Sequence, residues 1–337
     1  MPKVELHCHL EGCVRPKTLV ALAKRNGVDL PTTDATAIYD YQDMASFLDV
    51  FERIGAALRT PADFARVTYE ALADAAAANV VYREMFFNPT IHGESRYADL
   101  LAGICDGIEA AQGDHGIVAR LIPSIYRGQG LAVALQLVEQ VIAHPRAEVV
   151  GIGMDGDELQ GPPEQFADAY QLAGEAGLRR TAHAGERFPG PEISVCLDLL
   201  GCTRIDHGYA VVDDPALLAR CVDDGVHFTY AWLSTAYNYH GSPDRHPIPR
   251  MRSAGLSMSL GGDDPAMGGT TLTSDYLTVI DAFDWPTEVL REQTREALEA
   301  AWCDPATKAS LQRRLAPPPP SPLEPALPNS QITAEES

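Results

Sequence analysis

Residues able to bind a metal or move a proton fall into four short groups: His7, His9 and Glu11 in HCHLEG, His183 and Glu186 in TAHAGE, Asp206 and His207 in RIDHGY, and Asp263 and Asp264 in SLGGDDP. Imidazole nitrogen and carboxylate oxygen are ligands that zinc takes, and a catalytic zinc keeps one position for water. Acids and bases left over beside such an ion are placed for proton transfer. The chemistry these residue types allow is metal-assisted hydrolysis. Each group alone has a plainer explanation. HxH on a strand also describes two histidines with satisfied hydrogen bonds, and paired aspartates describe a solvated loop or a helix N-cap. The case for a site rests on where the four groups sit in the fold.

The elements that position them are regular. Eight β-rich runs recur: KVELHCH (3–9), NVVYREMFF (79–87), IVARLIPSIY (117–126), VVGIGMDG (149–156), LRRTAHAG (178–185), TRIDHGY (203–209), VHFTYAW (226–232) and LSMSLGGDD (256–264). Most are separated by segments with apolar residues at helical spacing, such as 131–144, 163–177 and 214–225. Strand and helix in alternation imply a parallel sheet, and eight such units predict a closed (β/α)8 barrel of the TIM type. Reactive groups of such barrels gather at the C-terminal ends of strands. All four groups lie at such ends, of the first, fifth, sixth and eighth runs. Side chains alternate along a strand, so His7 and His9 point to one side and Cys8 to the other.

Two stretches break the alternation. Residues 10–78 read as several helices, more than a crossover needs, and are expected to sit over the barrel mouth as a lid or pocket wall. Residues 1–312 are expected to form one barrel domain, and the proline-rich 313–337 a disordered tail.

Composition narrows the function. Of 337 residues, 47 are Asp or Glu and 26 Lys or Arg, a formal charge of −21 that repels phosphate backbones and anionic lipid. Nucleic acid and membrane are therefore not expected partners. A small molecule is, with oligomeric state left open. The N-terminus lacks the pattern of a secretory signal, which predicts a cytoplasmic protein. The seven cysteines are odd in number and form no CxxC pair, so neither a disulfide framework nor a thiolate zinc site is expected.

PKVELHCHLEG, MDGDE (154–158), TAHAGE, RIDHGY and SLGGDDP together resemble the signature blocks of the adenosine/adenine deaminase family, in order and in spacing, over about residues 3–300. The resemblance implies one zinc per chain, held by His7, His9, His183 and Asp263. It implies that Glu186 protonates the purine ring, that His207 orients and deprotonates the attacking water, and that Asp264 holds the attacking oxygen and the imidazole edge of the base. Gly156 would donate its N–H to the other edge. The chemistry agrees: adding oxygen to carbon 6 breaks aromaticity unless a ring nitrogen takes a proton, and zinc lowers the pKa of water to about 7.

Rival zinc chemistries fit less well. The cytidine-type signature of H-x-E with PCxxC is absent. Binuclear barrel hydrolases use a lysine at the end of strand four, where this chain has MDGDE and its lysines are only Lys3, Lys17, Lys24 and Lys308. Two blocks depart from the family. Gly261 and Gly262 replace a usual polar pair and are expected to loosen the strand end, and YAWLSTAYNYH (230–240) differs from the usual run. Both bear on substrate identity.

The expected substrate is thus a 6-aminopurine, either adenine or adenosine. A modified purine nucleoside and a non-catalytic purine- or metal-binding barrel are the alternatives. Glu11 stands where nucleoside-specific relatives have Asp, and it is expected to face the pocket and help choose between base and nucleoside; the alternative is a cap on the next helix. His92, His115, His144, His227, His240 and His246 are expected at the surface or at helix ends, with His92 and His240 bordering the pocket.

Overall fold

The computed structural model describes residues 1–93, 96–187, 192–232 and 245–316. Eight strands follow one another around a sheet in chain order, every neighbouring pair parallel. They are β1 (Lys3–Glu5), β2 (Val80–Phe87), β3 (Val118–Tyr126), β4 (Gly151–Asp155), β5 (Arg179–Ala184), β6 (Arg204–His207), β7 (His227–Ala231) and β8 (Ser257–Gly261). Each lies within one of the eight runs seen in the sequence. Most strand residues are buried, charged ones included, because strands of a parallel barrel are covered on both faces. All eight residues of β2 are buried.

The seam between β1 and β8 closes beyond the regular strands. His9 N donates to Asp263 O at 2.8 Å and Asp263 N to His7 O at 3.2 Å. The residues that close the barrel are the candidate ligands themselves.

Between β1 and β2 run three helices, α1 (Pro16–Asn26), α2 (Met44–Ala57) and α3 (Pro61–Ala77). Local chemistry fixes their starts. Asp43 and Ser46 form a capping box on α2, Thr60 and Asp63 another on α3, and Pro16 and Pro61 occupy first-turn positions where a missing N–H costs nothing. This insertion covers the barrel mouth as expected: Tyr39, Tyr41, Phe47, Leu48 and Phe51 line the cavity there.

Leu298, Ala301 and Leu311 pack on Val4, Leu6, Val81 and Tyr82. Arg204 carries a buried ion pair to Glu84 at 2.7 Å and lies 3.9 Å from the Trp302 ring centroid. The final described helix runs Pro305–Leu315, so ordered chain continues just past the boundary expected at 312; residues 317–337 of the expected tail lie outside the described residues. All seven cysteines are free. Among the described residues, no helix is long and apolar enough to cross a membrane.

Candidate active site

His7 comes just after β1, and its orientation is set from behind. Thr229, on β7, donates its hydroxyl proton to Asp206 Oδ1 at 2.7 Å, so its oxygen is left to accept from His7 Nδ1 at 2.8 Å. That fixes the tautomer and leaves His7 Nε2 as a lone pair, buried and without a hydrogen-bond partner among the described residues. It lies 3.2 Å from Asp263 Oδ1. His9 Nε2 is 3.2 Å from His183 Nε2 and 3.4 Å from the same Asp263 oxygen.

His7, His183, His207 and Asp263 each offer a ligand atom within 4.8 Å of the others, all buried. His9 joins them through the two contacts just given. Buried imidazole nitrogens turned toward one carboxylate oxygen form the donor set of a zinc site. The residues present fit the ion.

Electrostatics treats the imidazoles unequally: at His7 burial works against the charged form, but the facing Asp263 carboxylate outweighs it and raises the group above its ordinary value. Burial, reinforced by the neighbouring His7, holds His183 well below the ordinary histidine range and pulls His207 down to about 3. Burial opposes ionisation of Asp263, but the facing His7 outweighs it and keeps that carboxyl low. Glu186 goes the other way. Burial first, then the charges of Asp263 and Glu158, raise it to about 8. Asp264 is pushed well above its ordinary value by burial and by Asp263, and its buried Oδ1 has no hydrogen-bond partner among the described residues.

His9, Asp155, Gly156, His183, Glu186, His207, Asp263 and Asp264 border one cavity of about 600 Å³. His207 and Asp263 both have left-handed backbones, at φ 65° and 59°, a strain that non-glycine residues bear mainly at functional sites. Tyr209 donates its hydroxyl to Ala231 O at 3.1 Å and accepts from His207 Nδ1 at 3.2 Å, which leaves His207 Nε2 facing Glu186 Oε2 at 3.9 Å.

Three expectations need correcting. Glu11 is not among the side chains lining the cavity. It is buried, and its Oε1 accepts from Asn88 N and His92 Nε2, both at 2.9 Å. It does not cap α1 either, whose start has no side-chain cap. The residues that bind Glu11 are 77 and 81 positions away, so a local reading could not supply them. Gly261 and Gly262 tighten the strand end. A Cβ on Gly261 would stand 2.4 Å from His7 O, and Gly262 N donates to Glu5 Oε1 at 2.9 Å. His92 and His227 are buried, the latter bonded to Ser257 and Ser259. His246 caps the helix Pro247–Ser253 as expected, and His240 lies outside the described residues, as does the run 233–240.

Asp155 escaped the sequence reading, although MDGDE contains it. Its Oδ1 accepts from Asn88 Nδ2 at 2.7 Å and its Oδ2 lies 3.6 Å from His9 Nδ1. A carboxylate behind the non-ligating nitrogen of a metal-binding histidine is the usual orienting partner.

A closed parallel barrel with a buried imidazole–carboxylate cluster at the C-terminal ends of its strands defines a metal-dependent hydrolase. The adenosine deaminase family model matches residues 2–317. An adenine deaminase of Rhodospirillum rubrum is 35% identical over 322 residues, covering 94% of this chain and 96% of that one. One of Streptomyces coelicolor is 36% identical over 311 residues, covering 90% and 91%. Among solved structures, a zinc-bound amidohydrolase from Burkholderia ambifaria superposes with a TM-score of 0.88 at 37% identity, covering 94% and 89%. An adenine deaminase from Arthrobacter aurescens gives 0.86 at 32% identity, covering 93% and 98%. The chain belongs to the adenosine deaminase family. It is a hydrolytic deaminase acting on carbon–nitrogen bonds, and one zinc ion per chain fits its cluster.

Proposed function

We propose that the protein hydrolyses adenine to hypoxanthine and ammonia. The carrying observation is that Glu186, His207 and Asp264 border the same cavity as the imidazole–carboxylate cluster. The adenine deaminase names of the relatives above support the choice of base.

His7, His9, His183 and Asp263 would hold the zinc, which when bound makes a nucleophilic oxygen available from water at neutral pH. His207 is reserved for proton transfer because its Nε2 faces Glu186. Neutral at pH 7, it takes the proton from the attacking water and then gives it to the amino group, which leaves carbon 6 as ammonia while the hydroxyl proton of the adduct returns to Glu186. Glu186, kept protonated by its dry and acidic surroundings, gives its proton to ring nitrogen 1, so that the electron pair displaced from carbon 6 has somewhere to go. Asp264 holds the attacking oxygen and the five-membered edge of the base, and the Gly156 N–H meets the six-membered edge. Glu11 supports this pocket from outside, through Asn88.

A second reading is favoured by one observation. A cavity of about 600 Å³ lies within the range that drug-sized ligands fill, which leaves space for a purine bearing a substituent, such as adenosine or a modified nucleoside. Acidic lining residues, among them Asp43, Asp157 and Glu158, disfavour a phosphate. We place the enzyme in the cytoplasm, in purine metabolism.

Ultraviolet absorbance on mixing zinc-loaded protein with adenine, then adenosine, tests the reading. Conversion of adenine to hypoxanthine is expected. A spectrum unchanged with either purine would leave only a binding module.

A further inference from the structure

Glu186 stands on no regular element. It follows Gly185, whose backbone is left-handed at φ 67°, in a bend beyond β5. Its peptide is nonetheless held. Glu158, which opens a short 3-10 turn beyond β4, is 4% exposed and spends both carboxylate oxygens on this bend: Oε1 accepts from Glu186 N at 3.1 Å and Oε2 from Arg187 N at 2.9 Å. A second tie runs alongside, with Arg187 Nη1 3.5 Å from Asp157 Oδ1.

From this geometry we infer that Glu158 is the positioning residue for Glu186, fixing the peptide from which the proton-donating side chain extends. The inference rests on the role given to Glu186 above. Two backbone N–H groups gripped by one carboxylate are charge-assisted hydrogen bonds that set the orientation of consecutive peptide planes. They thereby set the direction of the Glu186 Cβ. Proton delivery to a ring atom needs that direction held closely, since a displacement of about 1 Å can cost about 10²-fold in rate. Neither oxygen is replaceable by an amide: glutamine offers one acceptor and turns a donor toward the remaining N–H.

The test is a double-mutant cycle on zinc-loaded protein with adenine as substrate. Glu158→Gln is expected to keep its zinc and lower kcat by about 10- to 100-fold with KM within about threefold. Glu158→Gln combined with Glu186→Gln is expected to turn over no more slowly than Glu186→Gln alone, because a residue acting through Glu186 has nothing left to position. Losses that multiply in the double variant would show that Glu158 merely supports the fold, and would overturn the inference. So would an unchanged kcat, or a loss confined to KM. Glu158→Asp keeps the charge but falls one methylene short, and should recover part of kcat; it carries the same cycle if the glutamine variant does not fold. Full activity in Glu186→Gln would instead defeat the proposed role of Glu186, an outcome distinct from activity retained only in Glu158→Gln.

Discussion

His9 and His183 meet nitrogen to nitrogen, Nε2 to Nε2 at 3.2 Å, across the barrel from β1 to β5. The two nitrogens are within hydrogen-bond distance, and Asp263 Oδ1 stands 3.4 Å from His9 Nε2 at the β8 end. A cation held among the three would take a lone pair from each. Purified protein is therefore expected to carry one zinc per chain, and His9→Ala to lose both the metal and turnover. Elemental analysis checks this, and two equivalents required for activity would contradict it.

Glu186→Gln should keep zinc and lose about 10²- to 10⁴-fold in turnover, the usual contribution of a general acid. The amide preserves shape and has no acid proton to give. Steady-state rates beside metal content decide it, and a loss of only a few-fold would remove Glu186 from the chemistry.

Gly12 lies where a side chain would intrude on the site. A Cβ there would stand 1.8 Å from Asp264 Oδ1 and 2.6 Å from Asp264 Cα. Because the obstruction includes backbone, Gly12→Ala must move the Asp264 segment. We expect at least about a tenfold fall in kcat/KM, more than about 1.4 kcal/mol in the transition state. An active alanine variant would show that Asp264 tolerates displacement.

Glu11 grips the Asn88 N–H and His92, and Asn88 in turn holds Asp155 behind His9. Shortening it to Asp should loosen that support without touching the purine directly. Rates on adenine and adenosine should fall together, leaving their ratio within about threefold of wild type. A tenfold change in the ratio, equal to about 1.4 kcal/mol, would make Glu11 a substrate-selecting residue after all.

Asp275 offers a pH effect away from the site. Burial, then the charge of Glu5, raises its carboxyl to about 7. Between an unfolded value of about 3.9 and that folded one, the folded chain keeps a proton that the unfolded chain releases. Stability should thus fall as pH rises across this window and stay lower above it. Asp275→Asn removes the penalty, and denaturant unfolding at pH 8 should show the variant more stable by at least about 1 kcal/mol. Equal stability at pH 8 would place the carboxyl at its ordinary value.

Much of this architecture is readable from the chain. β2 and β3 announce themselves as largely apolar runs because both their faces are covered, and His7, His183, Asp206 and Asp263 sit where a barrel strand delivers side chains to the mouth. The supporting groups are less visible, for physical reasons. Asp155 reaches Asn88 across 67 positions, a pairing set by the curvature of the barrel and by no local period. Glu158 grips backbone N–H groups, which every residue but proline supplies, so nothing about Glu186 or Arg187 marks them as its partners. Glu11 was visible as a chemical group but not in its direction, since the chain leaves strand geometry after His9 and enters the 3-10 turn Glu11–Cys13.

The seam of the barrel carries a mechanical consequence. Residues 7 and 263 belong to opposite ends of the folded chain, and an ion gripped by both is a cross-link enclosing about 250 residues. In the loop-entropy account, a link of that span removes on the order of 5 kcal/mol of freedom from the unfolded chain. It also ties the first strand to the last at the place where the regular ladder has run out. Chelation should then loosen this seam before the rest of the sheet, seen as faster amide exchange at His9 and Asp263, whose N–H groups bridge it.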